Sequence, residues 1–243
     1  MPVSANTLFH FTRQRGDLVS ILQNGFYPSY SLEDLSAILP ADRITAVRVP
    51  MVCFCDILLS QIGKHIEYYG EYGIGLRKKE WGMQRGISPV VYVDRESRTA
   101  TLMSQVVYDV VKMKLPAESP LRERLFDFCK YIKAYDGLVL NRETKEMETR
   151  KFYDEREWRY SPAIVHTMPS TSSDERKLKQ ANKALRSHAL KFKPSDVKYI
   201  IVSKESEIPK TIAAINKIST LQPRDKSLLA SKVISGEQIK EDM

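Results

Sequence analysis

Two segments decide how this chain is read: Leu8-Phe9-His10-Phe11-Thr12 near the start and Tyr153-Asp154-Glu155-Arg156-Glu157-Trp158-Arg159-Tyr160 further on. The first places one histidine in an apolar, β-prone run. The second alternates, so that a strand there would carry Tyr153, Glu155, Glu157 and Arg159 on one face and Asp154, Arg156, Trp158 and Tyr160 on the other. Burying an unpaired charge is costly, so ionisable residues inside β-type segments need a reason. A cleft for a charged, sugar-containing ligand would be one.

Outward from these segments, the 243 residues suffice for one large domain or two small ones with a real core. An apolar content of 42% with 28% charged residues argues against wholesale disorder. No apolar run approaches the roughly 20 residues of a membrane span, so no membrane association is expected. Met1-Pro2-Val3-Ser4-Ala5-Asn6 has no signal-peptide character. The odd cysteine count (Cys53, Cys55 and Cys129) fits a reducing compartment, and a cytoplasmic location is expected. Cys53-Phe54-Cys55-Asp56 lacks a second Cys or His pair at zinc spacing and reads as strand cysteines, so no metal is expected. Gly73-x-Gly75 is not a dinucleotide fingerprint, and there is no P-loop or His-Glu-x-x-His site.

The formal charge of +8 is uneven. Between Arg176 and Lys198 stand eight basic residues and one acid, Asp196, which is nearly the whole excess. The amphipathic stretch Ser173 to Leu190 puts Leu178, Ala181, Leu185 and Ala189 on one stripe and leaves Arg176, Lys179, Lys183 and Arg186 outward. Such a face suits nucleic acid or an acidic partner, although a solvated face is the commoner case.

Periodicity and turn signals predict strands at Leu8 to Thr12, Val49 to Phe54, Tyr72 to Leu76, Pro89 to Val93 and Val197 to Val202. Gly137 to Asn141 and Phe152 to Tyr160 are predicted to pair across the charged turn between them. Helices are predicted from Leu18 to Gln23, with Asp17 as cap and Gly25 as stop, and at Leu32 to Leu39, Leu58 to Tyr69, Thr101 to Lys114, Leu121 to Ala134 and Glu205 to Lys217. Gly73 and Gly75 are expected to let another backbone approach. The expected architecture is α+β: one domain over residues 1–222 with a central mixed or antiparallel split sheet, then a polar tail, 223–243, docked in part near Leu228 to Ile234. The Ser/Thr/Pro-rich stretch Met168 to Asp174 is the only linker-like segment.

Each candidate site has two readings. His10 is either a half-buried strand histidine bonded to backbone or a donor to a ribose hydroxyl or amide. Glu155 and Glu157 are either a salt-bridged edge with Arg156 and Arg159, or carboxylates placed to stabilise an oxocarbenium-like transition state. In His65-Ile66-Glu67-Tyr68-Tyr69-Gly70-Glu71-Tyr72, the histidine borders an apolar stripe, and Tyr68, Tyr69 or Tyr72 either packs structurally or stacks on a flat ring.

The chain resembles the AbiGi proteins of bacterial abortive-infection phage resistance. The resemblance is carried by Leu8 to Thr12, Asn24-Gly25-Phe26-Tyr27-Pro28, Val49 to Asp56, His65 through Trp81-Gly82, Pro89-Val90-Val91-Tyr92 and Phe152 through Tyr160, in consistent order. It implies a role in phage defence, with this component described as the antitoxin partner of a toxin. A weaker resemblance, in the order of a His-bearing first strand, an aromatic-rich middle and a late Glu-bearing strand, is to ADP-ribosyltransferases. It implies such a fold and NAD as cofactor. Glu157 would be catalytic, with Glu155 and His10 beside it, and His10, Thr12, Tyr68, Tyr69 and Tyr72 would contact NAD. The pattern departs from that family by joining a first-strand His to Glu-x-Glu and by lacking a plain serine motif.

Overall fold

The apolar, β-prone run Thr7–Thr12 forms the first strand, and an aromatic-over-glycine contact fixes its neighbour. The computed structural model describes residues 4–39, 46–116, 118–140, 145–163, 168–169 and 175–242. In chain order they form β1 (Thr7–Thr12), α1 (Arg15–Asn24), β2 (Ser29–Asp34), β3 (Ala46–Cys55), α2 (Gly63–Tyr69), β4 (Tyr72–Arg77) and β5 (Ser88–Pro89). Next come β6 (Val91–Val93), α3 (Arg98–Lys112), α4 (Pro120–Cys129), β7 (Ile132–Ala134), β8 (Asp136–Leu140), β9 (Met147–Lys151) and β10 (Glu157–Tyr160). The remainder is β11 (Met168–Pro169), α5 (Glu175–Ala184), β12 (Val197–Val202), α6 (Ile208–Asn216), α7 (Pro223–Ala230), β13 (Val233–Ser235) and α8 (Gly236–Asp242). The protein is thus α+β with a mixed sheet. By contact density the chain divides into two compact units. One holds the residues up to Tyr27, Cys53–Ser88 and those from His188 on; the other holds Pro28–Val52 and Pro89–Ser187.

In the first unit, β4 lies between β1 and β12, antiparallel to both, and β13 runs parallel to β12. Phe9 faces Gly75 and Phe11 faces Gly73 across the β1–β4 ladder. A Cβ at Gly75 would come 2.8 Å from the Phe9 ring and 2.9 Å from Thr7, and one at Gly73 would come 2.8 Å from the Phe11 ring. These glycines therefore admit aromatic side chains, not the expected second backbone. Phe9, Cys55, Ile57, Ile62, Ile66, Ile201 and Ile239 form the core against the sheet. The last of these belongs to α8, and Leu229 and Ser235 are also buried, so residues 223–242 are built into this unit. Gly25 ends α1 as expected: its φ is +75° and a Cβ there would meet the Leu190 carbonyl oxygen at 2.6 Å. Asp17 is not the cap. The helix starts at Arg15, and Asp17 in its first turn accepts from Thr12 Oγ1 at 2.9 Å.

In the second unit, β2 and β3 are antiparallel, from Ser29 opposite Met51 to Asp34 opposite Ala46. β10 and β11 also pair with β3. β6 and β7 form a short parallel pair, and β8 and β9 an antiparallel hairpin. Leu35, Ile38, Val93, Ala100, Val107 and Ile132 are buried together, joining α3 and the β6–β7 pair to the turn after β2.

Several expectations are corrected here. Leu32 to Leu39 is not a helix: Ser29–Asp34 pairs with β3, and the chain then turns. The helix expected over Leu58 to Tyr69 is a 3-10 turn at Leu59–Gln61 followed by the shorter α2. The helix expected to reach Ala134 stops at Cys129, and Ile132–Ala134 becomes β7. The partner of Gly137 and its neighbours is Met147–Lys151, not Phe152 to Tyr160. Asn141, Ser173 and most of the Met168 to Asp174 stretch lie outside the described residues.

Candidate functional site

β10 alternates Glu157, Trp158, Arg159 and Tyr160, and its inward positions are both charged: Glu157 is 5% exposed and Arg159 0%. Burial on this scale demands pairing. Arg159 Nε donates to Glu157 Oε1 at 2.8 Å, and its Nη1 donates to the Lys130 carbonyl at 2.5 Å. Its Nη2 lies 3.2 Å from Glu33 Oε1 on β2. Lys133 on β7 donates from Nζ to Glu157 Oε2 and to Glu155 Oε2, both at 2.6 Å, and stands 5.2 Å from the centre of the Phe152 ring. The backbone N–H of Glu157 donates to the Tyr92 hydroxyl at 2.8 Å. Three carboxylates and two cations from β2, β7, β10 and the preceding turn thus form one buried network. The rings of Tyr92 and Tyr135 pack on Tyr153 beside it.

The network sets its own protonation. Burial pushes Glu157 upward, but the Arg159 guanidinium and the Lys133 ammonium outweigh it and hold the carboxyl at about 2. Burial works against the charge on Lys133, yet Glu157, Glu155 and Glu33 keep its ammonium well above the usual range. Glu33 differs: burial dominates over its pairing with Arg159 and moves its carboxyl up. Burial likewise raises the Tyr92 phenol.

The expected strand face of Tyr153, Glu155, Glu157 and Arg159 is replaced by a different construction. Phe152–Glu155 is a 3-10 turn, and Arg156 at φ +46° links it to β10. Glu155 and Glu157 meet at Lys133 because the turn brings them there, not because they alternate on a strand. Arg159 is a partner of Glu157, as the salt-bridged reading expected, but the pair is buried. Lys133 and Glu33 were not anticipated. Lys133 lay in an expected helix end and Glu33 in an expected helix; the available signal was a single charge in each of two β-type runs, Tyr131-Ile132-Lys133-Ala134 and Tyr30-Ser31-Leu32-Glu33.

His10 lies in the first unit. Its Nδ1 is 2.8 Å from the Cys53 carbonyl oxygen, so Nδ1 carries the proton and Nε2 is left as an acceptor in the neutral ring. The ring packs on Phe26 and Phe54, with centroids 5.1 and 5.8 Å away. Burial lowers its pKa below 6.5, against the raising effect of the Cys53 carbonyl. Thr12 and Tyr72 are register partners on the same face as His10. Their polar atoms are engaged, Thr12 with Asp17 and Tyr72 with the Glu207 carboxylate at 2.9 and 3.0 Å. The neighbouring position, Phe11, meets His65, and His65 meets Tyr69, on the opposite face of β1. His10 and Tyr69 therefore do not converge. Tyr68 and Tyr69 are exposed.

The basic segment forms α5 and a 3-10 turn, Leu185–His188. Leu178 and Ala181 are half-buried and Leu185 is buried, while Arg176, Lys179, Lys183 and Arg186 are exposed, in line with the amphipathic reading. Among the described residues, no group of three or more His, Cys, Asp and Glu side chains suits a metal, and no helix is long and apolar enough to cross a membrane.

No solved structure matches the chain. It is 29% identical over 248 aligned positions to "Abortive phage resistance protein AbiGi" of Lactococcus lactis subsp. cremoris, covering 89% of this chain and 99% of that protein. The profile of the family described as "Putative abortive phage resistance protein AbiGi, antitoxin" matches residues 24–203. With most of its length matched, including α3, the ion network and the basic helix, the chain belongs to the AbiGi family.

Proposed function

We propose that this protein serves phage defence as a binding protein: an antitoxin that masks a toxin partner through the second unit. The observation that carries the reading is the second apolar face of α3. Ala100, Val107 and Val110 turn inward and are buried. On an adjoining side, Leu102, Val106 and, just past the helix end, Met113 fall on one stripe and are 50–60% exposed. Scattered exposed apolar residues need no explanation, but a stripe repeated along one helix face favours a protein partner. The family description supports the same conclusion.

The alternative, NAD-dependent ADP-ribosyl transfer by Glu157 with Glu155 and His10, needs a carboxylate free to meet a ribose hydroxyl and a developing positive charge. Both oxygens of Glu157 already bind cations. That favours a structural role for the carboxylate and hence the binding reading.

The test is co-expression with a toxic protein encoded in the same operon. Wild type should restore growth and co-purify with it, whereas Leu102→Glu with Val106→Glu should keep the fold and weaken binding about a hundredfold. Equal protection by the variant would refute the α3 surface. NAD turnover by purified wild type, lost in Glu157→Gln with the fold intact, would instead establish the transferase.

A further inference from the structure

We propose that the outward face of α5 docks on duplex DNA, an activity separate from toxin masking. The helix is fixed to the second unit by its apolar side, with Leu185 buried and Asn182 Oδ1 accepting the Tyr30 N–H of β2 at 2.9 Å. That anchoring aims the other side at solvent. There Arg176, Lys179, Lys183 and Arg186 follow at steps of three, four and three residues, with Lys177 beside them. At 1.5 Å rise per residue the ridge runs roughly 15 Å, with a cation about every 5 Å. Among the described residues, Lys179 and Lys183 make no ion pair. The single acid, Glu175, stands in the first turn, where it complements the helix dipole and does not interrupt the ridge.

Charge complementarity makes the occupant a polyanion. Two features select duplex DNA among polyanions. Residues 175–188 contain no Phe, Tyr or Trp, and His188 at the end is half-buried, so the exposed face lacks the stacking platform that holds unpaired bases. An α-helix also fits the major groove of B-form DNA, about 12 Å wide, but not the deep, narrow one of duplex RNA. The evenly spaced cations make the contact one with the phosphate backbone, and it is sequence-tolerant.

The experiment uses the full chain with a fluorescent 20-base-pair DNA of arbitrary sequence, followed by anisotropy at 50–200 mM salt. Competitors are duplex RNA and single-stranded DNA of the same sequence, and poly-L-glutamate. With five phosphate contacts the affinity should fall about 500-fold across that range. Lys179→Gln with Lys183→Gln, which removes two contacts, should reduce the fall to about 40-fold and weaken binding at every salt concentration. A circular dichroism melt matching wild type shows that the fold is kept. Arg98→Gln with Arg124→Gln, exposed positions on α3 and α4, controls for net charge and should bind as wild type does. No binding at 50 mM salt, equal loss in the control, or an unchanged salt slope in the α5 variant would overturn the proposal and leave a solvated face. Preference for poly-L-glutamate would overturn it in favour of an acidic protein, and preference for duplex RNA or single strands would overturn the choice of DNA.

Discussion

Replacing Glu157 by glutamine preserves the shape of the side chain and removes its charge. In the network each carboxylate oxygen meets a cationic donor, Arg159 Nε at 2.8 Å and Lys133 Nζ at 2.6 Å. An amide offers one acceptor and one donor, so either rotamer turns an N–H toward a cation. The magnitude follows from the carboxyl itself. Held at about 2 against an ordinary 4.5, it corresponds to roughly 3 kcal/mol of preference for the folded, ionised form. This falls within the range for breaking a buried ion pair from one side, about 3–5 kcal/mol. For a chain of this length, 3 kcal/mol lowers Tm by roughly 6–12 °C. The sign with pH is also fixed. Because the folded carboxyl titrates lower than the unfolded one, its contribution is complete above about pH 4.5 and disappears as pH falls toward 2. Urea melts of wild type and Glu157→Gln at pH 7 should differ by the full amount, and those near pH 2 by little. A variant melting within about 2 °C of wild type at pH 7 would refute the argument that the network stabilises the second unit.

Glu33→Gln should behave oppositely. Since burial raises this carboxyl despite Arg159, the charged form contributes little at pH 7, and the variant should be neutral or slightly stabilised; a loss comparable to that of Glu157→Gln contradicts this. Gly75→Ala should cost roughly 1–3 kcal/mol, because its Cβ would press on Phe9 and Thr7, whereas Gly16→Ala, with open space around it, should be neutral or gain up to about 1 kcal/mol. Equal melting temperatures for the two variants would remove the steric argument. His10 should titrate below 6.5 by NMR with its proton on Nδ1 at neutral pH. Its depressed value makes its contribution to stability present above about pH 6.5 and lost as pH falls through the folded value, and a titration at or above 6.5 would show the ring to be solvated.

What was legible in the sequence follows burial. Val197–Val202 emerges with the expected bounds because five of six residues are apolar and four are buried. The stripe of α5 was readable because Leu178, Ala181 and Leu185 recur at helical spacing on one side. The strands that escaped detection lack such a signal. Met147–Lys151 alternates only between exposed and half-buried positions, and Ile132–Ala134 is three residues long, directly behind a helix whose period it prolongs. Ser29–Asp34 has no buried position and is strand through its ladder with β3, which no local pattern announces.

The Glu-x-Glu pair was visible from the start, and its meaning was not, for a physical reason. A carboxylate poised for catalysis and one locked in a buried network present the same residues in the same β-type surroundings; what separates them is where the two oxygens go. For Glu157 that is decided by Lys133, 24 residues away, and by Arg159, whose guanidinium is in turn shared with Glu33 of β2. The cue that the sequence did offer was the balance of charge in β-type segments. Lys133 stands alone in the run Tyr131-Ile132-Lys133-Ala134 and Arg159 lies between Trp158 and Tyr160, two positions from Glu157, and a fold that buries all of them must pair them. Charges of both signs in β-type segments point to a mutual network, whereas carboxylates without cations there point to a ligand. On that criterion the surface with work left to do in this protein is not the strand that carries Glu157 but the exposed faces of two helices, apolar on α3 and cationic on α5.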